Sequence, residues 1–158
     1  MLPYLNPICR RYLMDQNNLK DVLQDTFINI FKNLHLFDPK KASIGTWATK
    51  ITINNCLKYN AKTSKKTIEQ LIVDFHSAPI SPTAFDNLTV HEVLKYLKQM
   101  PPNLYEVFNL FVIDEFSHEE ISSMLGIKPS LSRKRLSRAR EWIKKRTESD
   151  SEFHFNLV

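Results

Sequence analysis

Glycine is nearly missing. The 158 residues hold two, Gly45 and Gly126, where about 7% is usual. That scarcity argues against Walker-type phosphate loops and dinucleotide-binding turns, which need several glycines, and against a turn-rich β-sandwich. Cysteine is as rare: Cys9 and Cys56 sit in helical patterns without metal-ligand spacing and read as buried thiols of an intracellular chain. No apolar run approaches the roughly 18 residues that span a membrane, and no signal peptide is visible. Enzyme signatures are also lacking. No second His completes a metalloprotease motif around His118, Glu119 and Glu120, and no Ser sits in a glycine elbow. Neither cofactor nor metal is called for.

What is present is positive charge and helical periodicity. Lys plus Arg number 22 against 17 Asp plus Glu, a net +5 with a pI of about 9.2, which suits a polyanionic partner. Between Lys128 and Arg146 nine basic residues accompany one acid, Glu141.

The expected fold is all-α: two small helical domains joined by a flexible linker, the C-terminal one containing a helix-turn-helix. The boundaries are 1–62, a linker over 63–88, 89–147, and a frayed tail over 148–158. Ser77, Pro79, Ser81 and Pro82 mark the linker, which has room for a short helix over 67–75. Pro3 and Pro7 interrupt the apolar start, and a helix over roughly 5–14 brings Leu5, Ile8, Cys9, Tyr12 and Leu13 to the core. In the next helix Leu19, Val22, Leu23, Phe27, Ile30, Phe31 and Leu34 form one broad apolar face. After the breaker at Phe37 to Lys41, a helix capped by Ser43 is expected to turn Ile44, Trp47, Ile51, Asn54 and Leu57 or Lys58 to one side, with Thr49, Lys50, Asn55 and Lys62 wet.

The C-terminal half reads as four helices. Residues 89–99 repeat Val90, Val93, Leu94 and Leu97. Residues 102–113 repeat Leu104, Val107, Phe108, Phe111 and Val112. Ser117 and Glu120 form a capping box, Gly126 ends that helix, and Pro129 opens the next. This last helix buries Leu136, Ala139 and Ile143. A helix, a glycine turn and a basic helix make a helix-turn-helix, whose second helix meets base edges in the major groove. Rotation of about 100° per residue then turns Ser130, Arg133, Lys134, Ser137 and Arg138 outward. Leu131 touches a thymine methyl or packs back. Arg135, Arg140, Lys144 and Lys145 suit general phosphate attraction.

Residues 103–146, NLYEVFNLFVIDEFSHEEISSMLGIKPSLSRKRLSRAREWIKKR, resemble the promoter-binding C-terminal domain of bacterial sigma factors. DVLQDTFINIFKNLHLFDPKKASIGTWATKITINNCLKY resembles the core of their N-terminal conserved domain. Both halves in this order, with a short linker, resemble the extracytoplasmic-function (ECF) group of the sigma-70 family. The resemblance implies a cytoplasmic transcription initiation factor with no catalysis of its own. It would bind core RNA polymerase and promoter DNA, insert in no membrane, run as a monomer when free, and be open to restraint by an anti-sigma protein. It places Asp21, Gln24, Asp25, Asn29 and Lys32 against the clamp helices of the polymerase largest subunit. It places Trp47, Lys50, Asn54, Asn55 and Lys58 on the melting downstream element, with Lys62 available for phosphate. On an apolar stripe, Trp47 is more often core than stacking platform. Two departures stand out. The chain begins late relative to the family, which implies either a misassigned start or a short first helix, and Ser132 replaces an apolar residue, which should loosen the recognition helix slightly. The alternative class is a stand-alone helix-turn-helix operator-binding regulator with a helical dimerisation module.

Overall fold

The structure, a computed structural model, describes residues 2–68 and 90–149. The assigned linker from residue 69 onward, most of the 67–75 segment, and the tail from residue 150 lie outside the described residues. Every regular element among the described residues is helical. Two compact units divide the chain after His76.

The first unit packs α1 (Leu2–Tyr12), α2 (Leu19–Asn33) and α3 (Ile44–Ile68) against one another. In α1, Leu5, Ile8, Cys9 and Tyr12 recur at three- and four-residue steps, and all are buried together with Leu13. The helix runs through Pro3 and Pro7 rather than breaking there. Pro3 lies in the first turn, where N–H groups have no partner anyway. Pro7 forfeits one bond to the Pro3 carbonyl, while the buried residues around it hold the helix in place. Beyond the helix end, the Asn60 side chain of α3 donates to the Tyr12 carbonyl (2.8 Å) and accepts from the Met14 N–H (3.3 Å). Gln16 donates to the carbonyls of Arg10 and Leu13.

In α2 the broad apolar face narrows. Val22, Leu23, Thr26 and Ile30 are buried, but Phe31 is 71% and Leu34 47% exposed. α1 and α3 cover one side of α2, so the stripe repeats at four residues and Phe31 and Leu34 beside it stay wet. Thr26 joins it because its hydroxyl donates to the Val22 carbonyl (2.7 Å).

Ser43 caps α3 as expected, its hydroxyl accepting from the Thr46 N–H (3.1 Å). The buried stripe is Ala48, Thr52, Ile53, Cys56, Leu57 and Asn60, about one residue out of phase with the expected one. Ile44 is 40% exposed, while Trp47, Ile51 and Asn54 are half-buried. Small side chains at 48, 52 and 56 admit close approach of the neighbouring helices. Thr52 conceals its polarity by donating to the Ala48 carbonyl (2.8 Å). The helix also continues to Ile68, past the residue-62 boundary.

The second unit holds α4 (Val90–Leu97), α5 (Pro102–Phe108), a π turn (Asn109–Ile113), α6 (His118–Leu125) and α7 (Pro129–Ser149). Leu97, Met100, Leu104, Tyr105 and Ala139 form its core, with Tyr96, Phe108, Trp142 and Ile143 packed around them. Only the C-terminal end of α4 reaches this core, so Val90 is 78% exposed. The helix expected over 102–113 changes register at the π turn. The wider turn buries Asn109 and Leu110 and leaves Val112 exposed and Phe111 half-buried. Asn109 donates its side-chain amide to the Tyr105 carbonyl (3.1 Å).

Glu106 of α5 is half-buried. Burial pushes its carboxyl up to about 6, with Arg135 of α7 pulling the other way. The folded state therefore holds a proton that the unfolded chain releases above its ordinary carboxylate value. Stability of this unit is fullest below that value and declines as pH rises through about 6, by about 2 kcal/mol in total. Urea midpoints at mildly acidic and alkaline pH should show the decline. Glu106→Gln should flatten it.

Candidate nucleic-acid and protein-docking surfaces

The helix-turn-helix is built from local bonds. The Ser117 hydroxyl accepts from the Glu120 N–H (3.2 Å), and the Glu120 carboxylate accepts from the Ser117 N–H (2.9 Å). α6 ends at Gly126, where φ is +65° and the N–H donates to the Ser122 carbonyl. A Cβ there would meet nothing within 4 Å, so the left-handed backbone alone calls for glycine. The Ser122 hydroxyl bonds the Ile127 carbonyl across the turn. Pro129 then opens α7.

Leu136 and Ala139 bury α7 against the rest of the unit. Ser130, Leu131, Arg133, Lys134, Ser137 and Arg138 are all exposed, which leaves their polar ends available to a groove. Arg133 lies 3.9 Å from the Glu119 carboxylate, both side chains being more than half exposed. Such a pair contributes little to stability and yields to a phosphate at small cost.

Ser132 does not sit loosely. It is fully buried, and its hydroxyl lies 2.9 Å from His118 Nδ1. The His118 ring stacks on Phe111 of the π turn, with centroids 4.5 Å apart. Partial burial, followed by the Arg133 charge, lowers the His118 pKa, with Glu119 acting in the opposite direction. A hydrogen bond to the His118 ring thus replaces the apolar contact. Sequence reasoning singled out Ser132 alone, and its partner lies fourteen residues earlier with no local pattern to link the two.

In the first unit Asp21, Gln24, Asp25 and Lys32 are exposed along α2. Asn29 is half-buried and donates to the Asn55 side-chain carbonyl (3.0 Å). The Asn55 amide donates in turn to the Thr26 hydroxyl (3.3 Å). Asn55 therefore ties α3 to α2 with both ends of its side chain. It is not the wet-side residue that periodicity suggested. The two residue sets expected on separate partners meet at this link. Between α2 and α3 runs an open groove of about 470 Å³, lined among others by Asp25, Asn29, Lys32, Asn55, Lys58 and Lys62.

Trp47 is half-buried, its ring tilted against Phe37 at 5.5 Å. It is thus neither enclosed core nor free platform. Lys50 and Lys58 are exposed, and Asn54 is half-buried. Two residues escaped sequence reasoning: Ile28 and Phe31, 42% and 71% exposed on α2. Ile28 stands at helical neighbour spacing from Gln24, Asp25 and Lys32, and Phe31 at the same spacing from Ile28. For Phe31 the signal was the width of the apolar face, seven residues on a helix that neighbours cover from one side; Ile28 lay outside that face, as an apolar residue among polar ones.

Two family descriptions match the chain, one after the other: Sigma-70 region 2 over residues 1–66 and Sigma-70 region 4 over residues 91–143. The ECF RNA polymerase sigma factor SigM of Bacillus subtilis is 28% identical over 148 residues, spanning 89% of this chain and 88% of SigM. SigE of Mycolicibacterium smegmatis is 26% identical over 135 residues, 82% of this chain and 52% of SigE. Among solved structures, RpoE in complex with the anti-sigma factor NepR from Bartonella quintana aligns at a TM-score of 0.62. Its identity is 21%, over 91% of this chain and 89% of that one. CnrH in complex with the cytosolic domain of CnrY aligns at 0.53, also 21% identical, over 93% and 82%.

Proposed function

The chain belongs to the ECF group of the sigma-70 family, and we infer from this a dissociable initiation factor that directs core RNA polymerase to promoters. The observation that carries the inference is the pairing of regions 2 and 4, in order, across one chain. A stand-alone operator-binding regulator is not favoured, because it would account for the second match and leave the first without a role. Catalysis belongs to the polymerase, and this chain supplies promoter choice. The setting is the cytoplasm, where the polymerase works. No described helix is long and apolar enough to cross a membrane.

ECF sigma factors pair with RNA polymerase and with anti-sigma factors. For this chain the finer assignment runs as follows. The exposed side of α2, with Asp21, Gln24, Asp25 and Lys32 and the apolar Ile28 and Phe31, docks on the clamp helices of the largest subunit. Asn29 lies at its edge. α7 reads the upstream element as duplex through Ser130, Leu131, Arg133, Lys134, Ser137 and Arg138. Their exposure and the rigid glycine turn behind them support that reading. The downstream element, once unpaired, runs along α3. Lys50, Lys58 and Lys62 attract its phosphates and Trp47 and Asn54 face its bases. Asn55 acts there indirectly, by fixing α3 against α2. An anti-sigma protein holds the free monomer inactive. The domain limits proposed are the two units, with the connection between Ile68 and Val90.

The test is gel filtration of the purified chain with bacterial core polymerase, followed by run-off transcription. One-to-one co-elution is expected, and a dimer that shifts duplex DNA without polymerase would overturn the assignment. In the polymerase-bound form, Arg133→Ala and Lys134→Ala should each weaken upstream-duplex binding by about 1–3 kcal/mol and relax base preference. Fluorescence anisotropy on matched and mutated duplexes reads this out. Arg140→Ala should instead weaken all sequences alike and shallow the salt dependence.

A further inference from the structure

Two consecutive residues in the first turn of α6 reach two consecutive residues of α7. His118 Nδ1 lies 2.9 Å from the buried Ser132 hydroxyl, and the Glu119 carboxylate lies 3.9 Å from Arg133. The first contact is held from both sides, because the His118 ring stacks on Phe111 and Ser132 is fully buried. The backbone that carries Glu119 is therefore fixed against the backbone that carries Arg133. The next acid, Glu120, is occupied in the capping box. Glu119 takes no part in that cap, and its side chain is 72% exposed beside Arg133. Lys134 and Arg138, also exposed on α7, have no ion pair among the described residues.

A guanidinium carries five N–H donors in a planar fork. Two of them satisfy O6 and N7 of a guanine, and others remain for a carboxylate. Arg133 can thus read a guanine while still facing Glu119. A phosphate brought to Arg133 is brought to Glu119 as well, and two like charges at that range repel. Parting the pair costs little in the free protein, so the effect lies in that repulsion and in the direction given to the fork. Phosphates repeat along every duplex, whereas a guanine edge at a given place occurs only in some sequences. An acid beside a reading arginine therefore weakens binding in general and weakens it least at the right base.

We propose that Glu119 is a positioning residue for Arg133, setting base discrimination on the upstream duplex by directing the guanidinium to a guanine edge and away from phosphate. His118 and Ser132 fix the separation over which it acts. The inference rests on the reading that α7 enters the major groove of the upstream element.

The experiment uses the full chain bound to core polymerase and a duplex library randomised over the upstream element. Selection and sequencing give the preference at each base pair, and anisotropy on a selected and a scrambled duplex gives affinities. Arg133→Ala identifies the pair that Arg133 reads. Glu119→Gln should lower the guanine preference at that same pair by up to about fivefold, the scale of an exposed ion pair, and raise affinity for the scrambled duplex by a similar factor. The melting temperature of the second unit should stay within about a degree of the parent. In the Arg133→Ala background, Glu119→Gln should alter no base preference. The proposal is overturned if the preference survives Glu119→Gln intact, or if that variant shifts preference at pairs that Arg133→Ala leaves alone. Loss of preference in Arg133→Ala with none in Glu119→Gln sinks this inference and leaves the upstream reading standing. No change of preference in Arg133→Ala sinks both.

Discussion

Phe31→Ala is expected to leave the melting temperature within about a degree of the parent and to weaken core polymerase binding by about 2 kcal/mol, roughly thirtyfold. The ring is 71% exposed, so its removal opens no cavity. A Phe side chain loses favourable hydration balance by standing in water and recovers it only against a partner. Aromatic anchors of this kind, ringed by polar groups, carry most of the energy of protein interfaces. Here Gln24 lies on the same face two turns away, and Ile28 links the ring to Asp25 and Lys32, all exposed. Gln24→Ala combined with Asp25→Ala should lower affinity less and mainly slow association, as rim charges do. Competition binding between parent and variant for labelled core enzyme measures both. An unchanged affinity for Phe31→Ala would remove α2 from the interface.

Ile121→Ala should act in the opposite sense. Ile121 is fully buried in α6. Truncating a side chain there loses about 2–5 kcal/mol through lost transfer energy and the cavity left behind. In a unit this small, about 3 kcal/mol corresponds to a fall of roughly 15 °C in its melting temperature. Calorimetry should show the transition of the C-terminal unit moving while that of the N-terminal unit stays. Upstream-duplex binding should be near normal in the cold and fail on warming. Arg133→Ala should show the converse, weak binding at every temperature with an unmoved transition. A shift of both transitions together would mean that the units unfold as one.

What was legible in the sequence follows physical lines. The recognition end of the chain could be read closely because its determinants are local. Ser117, Glu120, Gly126 and Pro129 act within a turn or two, and each sits where its backbone chemistry requires. The apolar set Leu5, Ile8, Cys9, Tyr12 and Leu13 was equally plain. α3 was misphased because its contact stripe is made of small and polar side chains, Ala48, Thr52 and Asn60. Burial of Thr52 and Asn60 depends on a bond to the helix's own backbone or to a distant helix, which hydropathy does not encode. The π turn was missed for a related reason: one extra residue within a helical turn leaves the composition unchanged and rotates everything after it. Ser132 looked like a defect until His118, fourteen positions earlier in sequence, was seen beside it. Phe31 and Leu34 were assigned inward because periodicity reports which residues share a face, not whether a neighbour covers it.

Asn60 has a consequence for how α3 finds its place. A long helix whose inner stripe is Ala48, Thr52 and Cys56 presents nearly the same small-residue profile after sliding by one turn, about 5.4 Å. Apolar contact would discriminate poorly between those positions. Asn60 accepts from one backbone group and donates to another beyond the end of α1. A one-turn slip would bring Cys56 or Ser64 there instead, and neither carries an amide with a separate donor and acceptor. The side chain therefore works as an index mark. It admits one axial setting of α3 and, with it, one alignment of Lys50, Lys58 and Lys62 beside α2.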